Sequence, residues 1–403
     1  MATDHPPLKP ELSDWQAARQ SRLTIVKTTT TPGGRLLDWV PIDSQLPAGK
    51  VATPPPPVSA GPADPPERSV RPAAFELDNP AVERGPAGTV PILRPAAARL
   101  AKFGSVAEFM ARTKKGGRRI GRHLRSERPV DPDPDGYFHS QIGEYGIFYG
   151  WEGRFSVWDP AINHPGPGDD HSILQAWLLN DAHTPRQSLE GGWTVDQSLN
   201  GDTHPHIFTY FTTNNYTKDG DNIGGYNTEH KGFVQYSAPS TTGTVVFPGI
   251  RIAGVCTPGG AQVEVSMKFQ LYREPVTAQL NWWVAVQGIW MGYYPAGLYG
   301  GGGMATTANL LSSGGEVFSG LPDPEATGDQ MGSGIQAASG WTRAAFLRRL
   351  SNQIDMSGTL ANSNGAGSND PATRGGADPY TNQTTMNSGT SWGSYFYAGG
   401  PSP

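Results

Sequence analysis

The sequence predicts an all-β protein, a sandwich or closed barrel of strands preceded by a proline-rich region. Three observations carry that prediction. The 403 residues include 52 Gly, 37 Pro, 11 Trp, 14 Tyr and 14 Phe, with only 17% charged. Turns and aromatic strands use such a composition; helices do not. From Gln262 to Tyr272, Val263, Val265, Met267, Phe269 and Leu271 alternate with Glu264, Ser266, Lys268, Gln270 and Tyr272. Strict period-two alternation marks a strand with one buried face. Related runs at 147–158, 172–179, 206–213, 232–237, 244–255 and 279–294 are separated by turn clusters such as Asp219-Gly-Asp-Asn222 and Thr257-Pro-Gly-Gly260. Many short strands at such spacing make a sandwich or a closed barrel.

The first third reads differently. Leu23 to Gln45 forms a small compact piece around the turn Pro32-Gly33-Gly34. Residues 51–95 are dense in proline and alanine, including Pro54 to Pro57, and predict extended, poorly packed chain. Residues 105–115 suit a short amphipathic helix through Val106, Phe109 and Met110. A basic run follows, with Lys114, Lys115, Arg118, Arg119, Arg122, Arg125 and Arg128. In an acidic chain such a run is exposed and easily cut, so a solvated linker, an activation-cleavage segment and a polyanion patch all remain open. Strand patterning begins near residue 137. Residues 341–350 are ambiguous between helix and strand, and the Asn/Ser/Gly/Thr-rich end after 361 retains Tyr380, Trp392, Tyr395 and Phe396 to dock a last strand.

Net charge is −5 and the pI near 6, which leaves no basic field for nucleic acid. No stretch approaches the apolar length that crosses a membrane as a helix. The start, Met-Ala-Thr-Asp-His-Pro-Pro, lacks the charged-then-apolar layout of a signal peptide. Either the protein is not exported by that route or the signal has been removed. Cys256 is the single cysteine, so neither an internal disulfide nor a multi-cysteine zinc site is available. Its setting, Ile-Arg-Ile-Ala-Gly-Val-Cys, is that of a small apolar core residue.

The candidate chemistry lies in two carboxylates beside paired glycines, Glu190 in Ser-Leu-Glu-Gly-Gly-Trp193 and Glu316 in Ser-Gly-Gly-Glu-Val317. Glycine lets a backbone come close to another group. Two carboxylates facing each other in a cleft can share a proton and run acid–base chemistry. Around them stand Glu190-Gly-Gly-Trp193, Gly201-Asp202, Phe208-Thr-Tyr-Phe-Thr212, Gly225-Tyr-Asn227 and Gly232-Phe-Val-Gln235. Further along come Asn281-Trp-Trp-Val284, Met291-Gly-Tyr-Tyr-Pro295, Gly314-Gly-Glu-Val317 and Gln330-Met-Gly-Ser-Gly334. In this order the blocks resemble the neprosin family of glutamic peptidases, over roughly residues 137–397. Val26-Lys27-Thr28, Leu37-Asp38-Trp39-Val40 and Gly88-Thr-Val-Pro-Ile92 resemble that family's pro-region.

The resemblance implies an antiparallel β-sandwich with Glu190 and Glu316 as the catalytic pair. It also implies cleavage after proline at acidic pH and, for the family, secretion. By analogy with a different glutamic peptidase family that uses glutamine at the first position, Glu316 is assigned as general base and Glu190 as acid and oxyanion stabiliser. Gln175, Trp177, Trp193, Tyr293 and Tyr294 are candidate substrate-binding residues, the aromatic ones as walls for a pyrrolidine ring. Core packing is an equal reading for each. Where plant members carry cysteines around the Tyr-Asn block, this chain has Gly225 and His230. Loop 217–231 is therefore expected to be held by packing alone.

Other constellations carry less. Gly389-Thr-Ser391-Trp-Gly393 fits the G-x-S-x-G nucleophile pattern, but the last histidine is His230, and the order serine, acid, histidine cannot be completed. His204-Pro-His206 could offer two imidazoles to a metal, without the partners such a site requires. Gly300 to Gly303 lacks the lysine of a phosphate loop and reads as a mobile loop near the site. The expected organisation is a pro-region with its cleavage stretch over 1–130 and a peptidase over 131–403. No cofactor or metal is expected, nor nucleic acid or membrane, and the protein should be a monomer acting on proline-containing polypeptides. A carbohydrate-binding or carbohydrate-cleaving sandwich and an inactive binding relative are the alternatives.

Overall fold

The structure is a computed structural model that describes residues 8–47, 49–58, 69–111, 136–163, 170–236, 243–319, 328–369 and 379–401. The N-terminal part contains a helix α1 (Pro10–Ser21), strands β1 (Lys27–Thr30), β2 (Leu36–Pro41), β3 (Arg71–Pro72), β4 (Ala74–Phe75) and β5 (Thr89–Leu93), and short helices α2 (Ala97–Leu100) and α3 (Val106–Ala111). The rest is strand after strand: β6 (Tyr137–Phe148), β7 (Gly150–Ser156), β8 (His171–Asn180), β9 (Gln187–Asp196), β10 (His206–Thr212), β11 (Gly224–Tyr226), β12 (Val234–Gln235) and β13 (Ile252–Ala253). Then follow β14 (Val263–Arg273), β15 (Leu280–Val286), β16 (Ile289–Pro295), β17 (Ala308–Phe318), β18 (Ala345–Gln353), β19 (Leu360–Asn362), β20 (Ala366–Asn369), β21 (Thr381–Thr385) and β22 (Tyr395–Gly399).

Two sheets carry the architecture. The first runs β11-β10-β9-β8-β17-β6-β20 and the second β12-β16-β15-β14-β7-β18-β22-β21, with β19 on β18 and β3 parallel to β14. Between them lies one apolar core. Leu174, Ala176, Leu178, Leu189, Trp193, Ile207 and Val317 come from the first sheet, and Phe155, Val265, Met267, Phe269, Leu271, Trp282, Val284 and Tyr294 from the second. This is the face-to-face sandwich that the family resemblance implied, and one of the two architectures the strand pattern left open. The β15–β16 hairpin turns through Gln287 (φ 50°) and Gly288 (φ 75°), the left-handed pair that a two-residue turn between twisted strands needs.

The strands carrying the two glutamates, β9 and β17, show no clean alternation, because both their faces are buried. The span 245–250 is irregular, and pairing is confined to the Arg251 bridge with His206 and the short strand Ile252–Ala253. Pro248, which cannot donate to a ladder, and Gly249, at φ 91°, turn the chain there. Residues 345–353 resolve as strand β18, and the C-terminal aromatics do dock a last strand.

The proline-rich region is better packed than its composition suggests. Phe75, Leu77, Val90 and Ile92 are buried. The three-stranded sheet β1-β2-β5 is completed there, and β3 and β4 pair with β14 and β13. Arg35 binds Glu76 at 2.6 Å and the carbonyl of Gly249 at 2.6 Å, tying this region to the sandwich. The basic run and its cleavage reading lie outside the described residues.

Loop 217–231 is held by more than packing. The N-terminal helices grip it: Arg99 pairs with Glu229 at 2.7 Å, Arg19 donates to the Thr228 carbonyl, and Asp219 N donates to Met110 O at 2.8 Å. Trp15 meets the His230 ring edge-on and Phe109 packs against it at a tilt. Gly225 lies under the same imidazole, where an added Cβ would come within 2.5 Å of His230 Cδ2. Gly225 and His230, the two positions that stand where plant members carry cysteines, are thus neighbours in space.

Candidate active site

Strand register arranges the site. Directly paired residues share a face, and three cross-strand rows result on the side of the first sheet away from the core. One row is Tyr210, Glu190, Trp177, Ser312 and Gly143. The next is Phe208, Gly192, Gln175, Gly314 and Gln141, and the third is His206, Thr194, Ile173, Glu316 and His139. Glu190 and Glu316 are both fully buried on this one face. Between their strands runs β8, and along it they stand four residues apart, opposite Trp177 and Ile173. Two diagonal steps of roughly 7 Å each separate them, so the carboxylates span a gap and are not laid against each other.

Gln175 is the midpoint of that diagonal. Its lateral neighbours are Gly192 and Gly314, so no side chain flanks it within its row. Both glycines are sterically required. A Cβ on Gly192 would meet the Leu174 carbonyl at 1.9 Å, and one on Gly314 the Ser140 carbonyl at 2.4 Å. Gly191 serves the other face, where Phe269 would come within 2.9 Å of an added Cβ. The glycines beside each glutamate therefore bring strands and sheets close while clearing the floor around Gln175.

Each carboxylate is fixed separately. Gln175 Nε2 donates to Glu316 Oε2 at 3.2 Å, and His171 Nε2 lies 3.1 Å from Oε1. His139 Nε2 stands 3.4 Å from Oε2. Glu190 Oε1 receives two hydroxyls, Ser188 Oγ and Tyr216 OH, each at 2.7 Å. Tyr216 stacks on Tyr210, ring centroids 5.9 Å apart and nearly parallel, and Tyr210 meets Tyr226 edge-on at 4.8 Å. Burial first, then the charge of Glu316 and, more weakly, that of Glu190, holds the Tyr226 phenol well above its ordinary range. A phenol within the field of both carboxylates stays a neutral donor.

A sequence model for one family, described as Neprosin, matches residues 168–401. The chain belongs to the neprosin family. Membership supports a peptidase, and the matched span includes Glu190, Glu316 and every residue of the diagonal between them. Among solved structures, the crystal structure of scytalido-glutamic peptidase with a transition state analog inhibitor aligns over 66% of this neprosin-family chain and 98% of its own. The identity is 7% and the TM-score 0.32.

The five substrate-binding candidates separate cleanly. Gln175 and Trp177 lie on the glutamate face. Trp193 and Tyr294 do not: both point into the inter-sheet core, where Trp193 donates to Ser156 O at 2.9 Å and Tyr294 to Thr209 Oγ1 at 2.9 Å. Tyr293 lies on the outer face of the second sheet. His206 and His204 pair with Asp202 and Asp159. Gly302 and Gly303 pack on Gln187 and Asn180, at the ends of β9 and β8. His139, His171, Ser188, Tyr216 and Tyr226 were missed. His171 carried a signal, lying four residues before Gln175 and hence on the same face of the strand.

Proposed function

We propose that the protein is a glutamic endopeptidase that cuts after proline at acidic pH. The observation that supports this best is the buried diagonal Glu190–Gln175–Glu316 on one open-floored face. In this reading Glu316 is ionised and oriented by the Gln175 amide. It takes a proton from a water that attacks the scissile carbonyl. Glu190 carries a proton, with Ser188 and Tyr216 holding Oε1 so that Oε2 presents the acidic hydrogen. That hydrogen bonds to the developing oxyanion and then passes to the leaving amine. Opposite protonation states on two carboxylates exist together only over an acidic window. In this reading the water and the peptide bond enter between the two carboxylates. Trp177, directly opposite Glu190 and with no partner for its indole N–H among the described residues, offers a ring to proline and a donor to a substrate carbonyl.

Residues 1–130 act as a pro-region, with the basic run 114–128 as the segment cut on activation, and the mature sandwich works as a monomer on proline-containing polypeptides. The test is digestion of a proline-containing peptide library at acidic pH by wild type and Glu316→Gln, with cut sites mapped by mass spectrometry. Cuts after proline that vanish in the variant support the whole reading. Cuts elsewhere that also vanish keep the mechanism and remove the prolyl preference. Cuts that survive in the variant sink the mechanism.

A further inference from the structure

The outer face of the second sheet carries an aromatic platform that the chemistry above does not use. Along β15, Trp282 and Val284 enter the inter-sheet core, so Trp283 and Ala285 point outward. Register places Tyr293 opposite Trp283 and Val234 opposite Tyr293. Trp283 is the hub, with ring centroids of Tyr293, Tyr236 and Trp290 at 4.7, 5.5 and 5.9 Å.

What lies on this platform is the chain's own segment Val51-Ala-Thr-Pro-Pro-Pro-Pro-Val58. Val51, Ala52 and Val58 pack against the cluster, and Pro55 is buried while Pro56 and Pro57 are exposed. Side chains supply the polar contacts. Trp290 Nε1 donates to the Pro56 carbonyl at 3.3 Å, and Tyr293 OH accepts from Ala52 N at 3.1 Å. Prolines have no N–H to give, so a surface that recognises them must stack their rings and donate to their carbonyls. Aromatic grooves that read extended proline-rich peptides work in this way.

We infer that Trp283, Trp290, Tyr293 and Tyr236 form a second binding site, for proline-rich polypeptide supplied in trans, with residues 51–58 as its resident occupant. The inference rests on the reading above in one respect, that removal of the N-terminal region uncovers the platform on the mature enzyme. A long proline-rich substrate held there stays tethered to the enzyme while another stretch of it reaches round to the catalytic face on the opposite side of the sandwich. Short peptides gain nothing from it.

The experiment uses the full chain carrying Glu316→Gln, so that no peptide is consumed, with or without Pro54–Pro57 replaced by serine. Binding of a fluorescein-labelled peptide of residues 50–58 is followed by anisotropy. The serine-substituted chain binds about tenfold tighter, because its competitor in cis is gone. Adding Trp290→Phe, which keeps a ring and loses the donor, weakens binding at least threefold. Equal affinity with and without the serines, or affinity indifferent to both Trp290→Phe and Tyr293→Phe, overturns the inference. Should the serine-substituted chain fail to fold, the unsubstituted chain still decides. Saturating peptide must displace the resident segment and speed hydrogen exchange at the Ala52 amide, and unchanged exchange overturns the inference. Binding is read without catalysis, so failure here and failure of the peptidase reading are told apart.

Discussion

Gln175 donates its side-chain amide to Glu316 across 3.2 Å, from the neighbouring strand and two residues off direct register. The contact exists because the residues laterally paired with Gln175 are glycines, so the amide turns to the diagonal. It makes Gln175, with His171 and His139, one of the three side chains that set the orientation of the proposed base.

Removing that donor should cost rate more than affinity. Gln175→Ala is expected to lower kcat about 100-fold, the scale of a lost preorganised donor, with KM changing little. Gln175→Glu places a like charge beside Glu316, which raises the carboxylate's pKa. The acidic limb of the pH–rate profile should therefore move to higher pH. A normal profile for Gln175→Glu would show that the contact is structural only.

Glu190→Gln and Glu316→Gln should be far from additive. If the two carboxylates act as one unit, each single variant removes nearly all activity and the double variant loses little more. Single-turnover rates measured on all three chains decide the matter, and additive losses would separate the two roles.

Gly192→Ala is expected to be the most damaging small substitution at the site. Its Cβ would sit 1.9 Å from a backbone carbonyl that cannot move aside, whereas at Gly191 the nearest atom is the tip of the Phe269 ring, 2.9 Å away. Overpacking of the second kind costs about 1–3 kcal/mol, and the first should exceed it. Thermal melts of the two variants should rank in that order.

The grip on loop 217–231 should weaken in acid through His230. Burial, only partly offset by Glu229 and Asp221 and reinforced by Arg19 and Arg99, holds this imidazole below its ordinary value. Undocked, the ring takes a proton near pH 6.5. Docking is therefore fully present above that pH and is lost as pH falls through the lower docked value. Hydrogen exchange in Pro10–Ser21, corrected for intrinsic rate, should rise between pH 7 and 5 in the wild type and stay flat in His230→Phe.

Cys256 should be inert while the fold persists. Burial pushes its thiol up to about 12, so at pH 8 it remains protonated and enclosed. Iodoacetamide should label it only after denaturant is added, which intact mass will show.

The sequence made the sandwich legible where one sheet face is apolar and the other polar, as in Val263–Arg273. It concealed the strands of Glu190 and Glu316, because strands buried on both faces lose their alternation. The glutamates themselves stood out through their glycines and the family blocks. Their spacing did not, since register is a property of pairing and not of sequence distance. Parity explains the misplaced aromatics. Trp193 lies an odd three residues from Glu190 and must point to the other face once 187–196 is a strand. Tyr293 and Tyr294, being adjacent, could never have shared a pocket wall.

Gln45 fills a place that a strand would otherwise take. Its side-chain amide donates to Gln235 O at 2.7 Å and accepts from Gln235 N at 2.9 Å, closing the outer rung of edge strand β12. If the chain before residue 131 is cut away, that rung is bared beside an uncovered aromatic surface, and such edges invite pairing between molecules. Under the proposed maturation, colloidal stability is exchanged for access to substrate. Light scattering that grows with protein concentration after the cut, and is absent before it, would record the exchange.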